Sequence, residues 1–108
     1  MDDIRSKRCL FFKAQLAVTY MQLAILEPDN AETHKCLGDA FFELDRHAEA
    51  TEAYKQAITL NPNESSGHFN LARAYLETGN KGLALEEHKI LKTLDKKLAK
   101  ELKGLIKQ

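Results

Sequence analysis

Histidine and cysteine are the side chains here best suited to metal binding or nucleophilic chemistry, and the chain has four of one and two of the other. A metal site on a helix needs two ligands at i, i+3 or i+4 with a third nearby, so that one face presents converging lone pairs. His34, His47, His68 and His88 lie at least 13 residues apart and make no such pair. Cys9 and Cys36 are 27 residues apart, with no Cys-x-x-Cys pair and no companion cluster, which favours reduced thiols over a disulfide framework. No serine, cysteine or carboxylate pair stands beside a base within one motif, and no Gly-rich loop follows a strand. The expectation is a protein that is not an enzyme and takes no metal and no cofactor. Asn63-Glu64-Ser65 spells a glycosylation acceptor, a signal with meaning only on a secretory route.

The elements that would position any binding residues repeat with a period of 34. His34 recurs as His68, Leu37 as Leu71, Phe41 as Tyr75 and Ala50 as Ala84; Leu26, Leu60 and Leu94 form a series, and Pro28 precedes Pro62 by the same step. Periods of this size mark stacked supersecondary units. Within residues 31–64, Leu37, Phe41 and Leu44 keep one helical face, and Ala50, Tyr54, Ala57 and Ile58 a second. The turn between them falls at residues 44–47. Gly38, Ala40, Ala50, Ala53 and Ala57 are small where two backbones must approach, and Leu37, Phe41 and Tyr54 fill the space around them. Asn61-Pro62 ends the second helix, because proline lacks an amide hydrogen and turns the preceding residue away from helical geometry. Thr78-Gly79-Asn80 makes the next interhelical turn, with positive-φ residues that the first turn lacks.

His34-x2-Leu37-Gly38-x2-Phe41, Ala50-x3-Tyr54, Ala57 and Pro62 closely resemble the tetratricopeptide repeat. The second copy keeps Leu71, Ala72, Tyr75 and Ala84, while His88, Leu91 and Lys96 replace the family's aromatic, alanine and proline. The resemblance implies an all-α helical-hairpin solenoid wound as a right-handed superhelix. It divides the chain into a degenerate N-terminal helical unit (1–30), two repeats (31–64 and 65–98) and a C-terminal capping helix (99–107). It also implies a noncatalytic scaffold whose first helices line a concave groove for a peptide or protein. Carried over by position, the groove residues are Lys35, Asp39, Phe42, Phe69, Asn70, Arg73 and Leu76, with Asp39 placed to pair with Arg73. Some family members clamp a terminal carboxylate here; Lys35, Asn70 and Lys100 fit such a clamp, whereas Asp39 and Gly104 break it.

At the N-terminus, Ala14 to Glu27 keeps step with the second helix of a repeat, but the residues before it lack the pattern of a first helix. Asp2 and Asp3 can cap one helix running from about Ile4 to Glu27. Such a helix leaves Leu10, Phe11, Phe12 and Val18 as candidates for self-association, the alternative reading being a structural module that forms homo-oligomers. Lys13, Gln15, Thr19 and Gln22 interrupt the apolar run, so no segment reaches membrane length and no membrane insertion is expected. Sixteen basic residues balance sixteen acidic ones, which offers no global attraction to nucleic acid. A cytoplasmic location fits the reduced thiols. At the other end, Leu94, Leu98, Leu102 and Leu105 form the expected buried stripe, with lysines on the wet face.

Overall fold

The computed structural model describes the backbone from residue 2 and the side chains from residue 11 to residue 108. Six helices follow one another, with no strand among the described residues: α1 (Asp2–Leu26), α2 (Ala31–Glu43), α3 (His47–Leu60), α4 (Ser65–Glu77), α5 (Lys81–Leu94) and α6 (Lys96–Lys107). Residues 2–26 form one continuous rod. Helices α2 and α3 pair, as do α4 and α5; α1 lies on α2, α3 on α4, and α6 covers both α4 and α5. Among the described residues, no helix is long and apolar enough to cross a membrane.

Local chemistry explains the starts and stops. Asn30 Oδ1 accepts from the Glu32 and Thr33 amides at the start of α2, and Asp95 Oδ1 accepts from Lys97 and Leu98 at the start of α6, which satisfies donors a helix leaves open. Both interhelical turns need a left-handed residue. Gly79 supplies one at φ 80°, and Asp45 supplies the other at φ 61°, so the first turn does not lack the conformation, contrary to expectation from its composition. Aspartate tolerates this region because its short polar side chain bonds locally. At the start of α4, Glu64 holds the N-cap place without a side-chain bond to the helix amides.

The core runs through Leu37, Phe41, Tyr54, Leu71, Tyr75, Leu91 and Leu102, with alanines 40, 50, 53, 72, 74, 84 and 99 where helices close on each other. Gly38 marks the tightest approach: a Cβ built there would lie 2.5 Å from a ring carbon of Tyr54. On α6 the buried set is Ala99, Leu102 and Ile106, while Leu105 is exposed and Leu98 half-buried. The helix is therefore rotated from the expected leucine stripe, with Ala99 and Ile106 turned inward beside Leu102.

The two histidines of the repeat have a role that their spacing alone did not show. His34 Nε2 donates to the Pro28 carbonyl at 2.9 Å, and His68 Nε2 meets the Pro62 carbonyl at 2.7 Å. Each therefore ties a helix to the proline turn six residues before it. His68 is buried and also holds Glu87 through Nδ1 at 2.6 Å.

Candidate peptide-binding face

On α4, the buried residues His68, Leu71 and Tyr75 point one way, and helical periodicity turns Ser66, Phe69, Asn70, Arg73 and Glu77 the other. The same relation on α2 sets Glu32, Lys35, Cys36, Asp39 and Glu43 opposite Leu37 and Phe41. Phe42 and Leu76 lie at the edge of these faces, half-buried and packed on the core, as is Phe69. Asn70 is half-buried, and Asp39 and Arg73 are exposed.

The faces are joined by a contact between α2 and α4. The Arg73 guanidinium lies 4.7 Å from the centroid of the Phe42 ring, and His47 meets the same ring edge-on at 4.7 Å. A stacked cation of this kind is worth about 0.5–1 kcal/mol at an exposed site. Phe42 is thus a support more than an open platform, and its cover presents the guanidinium edge outward. The expected Asp39–Arg73 ion pair does not form among the described residues. Asp39 Oδ1 instead accepts a hydrogen bond from Tyr54 Oη at 2.5 Å. Burial, then this hydrogen bond and the Asp39 charge, push the Tyr54 hydroxyl far above its ordinary range, so it stays a donor at any physiological pH.

Lys35 is occupied as well. Its Nζ lies 3.3 Å from Glu64 Oε1 and 4.0 Å from Glu32. Glu64 also accepts from Ser66 Oγ at 2.7 Å and Asn61 Nδ2 at 3.1 Å. Those bonds, led by Ser66 and joined by Lys35, hold the Glu64 carboxyl below its ordinary 4.5 although burial opposes them. For Lys35, burial pulls the ammonium down, but the Glu64 hydrogen bond and the charges of Glu32, Glu64 and Asp39 outweigh it and raise the pKa. Glu64 and Tyr54 were not expected at this face. The signal for Tyr54 was the glycine opposite it, since Gly38 opens the path its hydroxyl takes between helices.

A lowered carboxylate contributes stability that is full above its ordinary value and is lost as pH falls through the folded one. Acid unfolding of Glu64→Gln is therefore expected to show a smaller loss of urea midpoint than wild type between neutral pH and values below 4.5. Equal losses in the two proteins would show that this network contributes nothing to acid stability.

A cleft of about 230 Å³ between α1 and α2 extends the face, bordered by Leu16, Tyr20, Cys36, Asp39 and Glu43. Lys13 bridges its rim to Glu43 at 3.1 Å. A hydrogen bond to Cys36 leads the influences that raise the Tyr20 hydroxyl above its ordinary 10.0. Among the described residues, no group of three histidine, cysteine or carboxylate side chains converges as metal ligands would. Of the self-association candidates, Phe11, Phe12 and Val18 are 59%, 67% and 47% exposed, and Leu10 lies outside the described residues.

Residues 38–79 match a family model described as TPR repeat. A structure titled MamA AMB-1 is 30% identical, with a TM-score of 0.74 over 77% of this chain and 49% of that one. A point mutant of MamA is 28% identical, with a TM-score of 0.61 over 86% of this chain and 72% of that one. MamA MSR-1 is 28% identical, with a TM-score of 0.60 over 88% of this chain and 57% of that one. The chain spans about half the length of the first of these structures. No curated protein matches it. Repeat sequence in residues 38–79 and a hairpin stack that superposes on MamA agree with each other: the chain carries tetratricopeptide-repeat sequence in a tetratricopeptide-like helical-repeat fold.

Proposed function

We propose that the chain is a noncatalytic scaffold that binds a peptide or partner protein along the face made by α2 and α4. Tetratricopeptide repeats are protein-interaction modules, and the observation that carries the reading to this face is Arg73 over Phe42. It places a guanidinium on an apolar support between the two helices, with the Asp39 carboxylate held nearby by Tyr54. Arginine and aromatic anchors supply most of the energy of many interfaces.

Peptides selected from a random displayed library on the wild-type domain test it. Arg73→Glu, an exposed change that spares the core, is expected to weaken the selected peptides by more than about tenfold, as loss of an anchor worth over 1.4 kcal/mol would. A Phe42→Ala, Phe69→Ala, Arg73→Ala variant that stays helical by circular dichroism is expected to bind none. Unchanged affinity in both would move the binding surface elsewhere.

The exposure of Phe11 and Phe12, whose rings meet edge to face at 6.1 Å, favours a second reading in which α1 mediates homo-oligomerisation. Under that reading Phe11→Ser with Phe12→Ser lowers the mass in solution, and Arg73→Glu does not.

A further inference from the structure

Charge is divided unevenly along this neutral chain. Residues 81–108 hold eight lysines against four acidic residues, whereas residues 11–80 hold five basic against ten acidic. Much of the basic excess gathers at a groove of about 360 Å³ between α5 and α6. Ala99 lies at its floor, and Lys92, Lys96, Lys100 and Lys103 form its walls with His88. None of those four lysines forms an ion pair among the described residues. Lysine stems offer apolar surface while their ammonium groups stay at the rim. The groove therefore suits an occupant that is apolar at its tip and anionic at its margin.

The other end of the same chain has that chemistry. Ile25 and Leu26 are 79% and 76% exposed, more than any other large apolar side chain described. Glu27 and Asp29 follow at once, both exposed. The segment is held in shape: the Glu27 amide bonds the Leu23 carbonyl, Asn30 Nδ2 bonds Glu27 Oε1 at 3.1 Å, and His34 holds the Pro28 carbonyl. An ordered apolar knob with two carboxylates beside it loses little conformational freedom on docking. It sits where α1 meets α2, whereas the groove belongs to α5 and α6, which pack at the far side of α4.

We propose that copies of this chain associate head to tail, with Ile25, Leu26, Glu27 and Asp29 of one seated in the lysine-walled α5–α6 groove of the next. Two different surfaces meet in such a contact, so each added copy leaves a knob and a groove free, and the assembly grows as a ring or a filament. The inference stands apart from the peptide-binding face and from the exposed phenylalanines of α1.

Sedimentation of three proteins across a dilution series tests it. Wild type is expected to form species larger than a dimer, and raising the salt concentration is expected to dissociate them. A groove variant (Lys96→Ala, Lys100→Ala, Lys103→Ala) and a knob variant (Glu27→Lys, Asp29→Lys) are each expected to be monomeric. Their equimolar mixture is expected to yield a one-to-one dimer and nothing larger, because one intact groove and one intact knob remain; that dimer also shows both variants folded. A wild type that stays monomeric at every concentration overturns the proposal, as does a mixture that stays monomeric when wild type assembles. Assembly kept by both charge variants but lost in Phe11→Ser, Phe12→Ser overturns it too, and assigns the contact to the flank of α1. Dissociation of peptides from Arg73→Glu leaves all of these outcomes unaffected, so the two readings fail separately.

Discussion

Tyr54→Ala is expected to cost about 3–5 kcal/mol of folding stability, the range for removing a buried aromatic side chain. Against the roughly 5–15 kcal/mol that holds a small domain together, that is a third or more of the total for a domain near the lower end of the range. Tyr54 is 2% exposed, and its ring occupies the space that Gly38 leaves empty on α2. Tyr54→Phe keeps the ring and loses only the bond to Asp39; since Asp39 can be rehydrated, a cost of about 0.5–1.5 kcal/mol is expected. Gly38→Ala is the complementary test. Alanine is favoured over glycine in a helix by about 0.8–1.0 kcal/mol, but its Cβ would force the Tyr54 ring aside, and overpacking costs about 1–3 kcal/mol. A net loss is therefore expected. Urea unfolding followed by circular dichroism measures all three, and a Gly38→Ala protein more stable than wild type would show that α2 and α3 can separate without penalty.

This pair also shows what could be read before any coordinates. The period of 34 located Gly38 and Tyr54 on facing helices and made the small-against-large contact legible. It could not show that the Tyr54 hydroxyl passes α2 and reaches Asp39, because that depends on the depth at which the helices cross. The groove face was legible for the same reason: periodicity separates Lys35, Asp39, Asn70 and Arg73 from the buried residues of their helices. Which of them pair was not legible. Arg73 goes to Phe42 and Lys35 to Glu64, contacts set by the stagger of α2 against α4 and by the path of the loop after Pro62. On α6 the leucine spacing pointed to Leu105 as the buried residue and passed over Ile106. Packing against α4 and α5 selects Ile106 and leaves Leu105 exposed.

Leu91→Ala is expected to cost about 2–5 kcal/mol, toward the upper end of that range. Leu91 and Leu102 are the largest fully buried side chains described, both at 0% exposure, one on each helix of the α5–α6 pair. Leu91 stands where the preceding repeat has Ala57, so the larger side chain belongs to the closure of the stack by α6 more than to the repeat pattern. Its removal opens a cavity with no solvent access, and each Å³ left unfilled costs on the order of 24 cal/mol. Leu37→Ala offers the comparison. Leu37 is 9% exposed and borders a surface groove of about 470 Å³ with Phe41 and Ala53, so water and neighbouring side chains can relax into the space it leaves. Its cost is expected at the lower end, about 2 kcal/mol. A cost near zero for Leu37→Ala would contradict the helical register on which the groove face rests. If Leu91→Ala costs less than Leu37→Ala, α6 is not part of the cooperative core. The lysine groove would then be walled by a helix that detaches before the repeats unfold, too loosely held to receive a rigid knob from another copy.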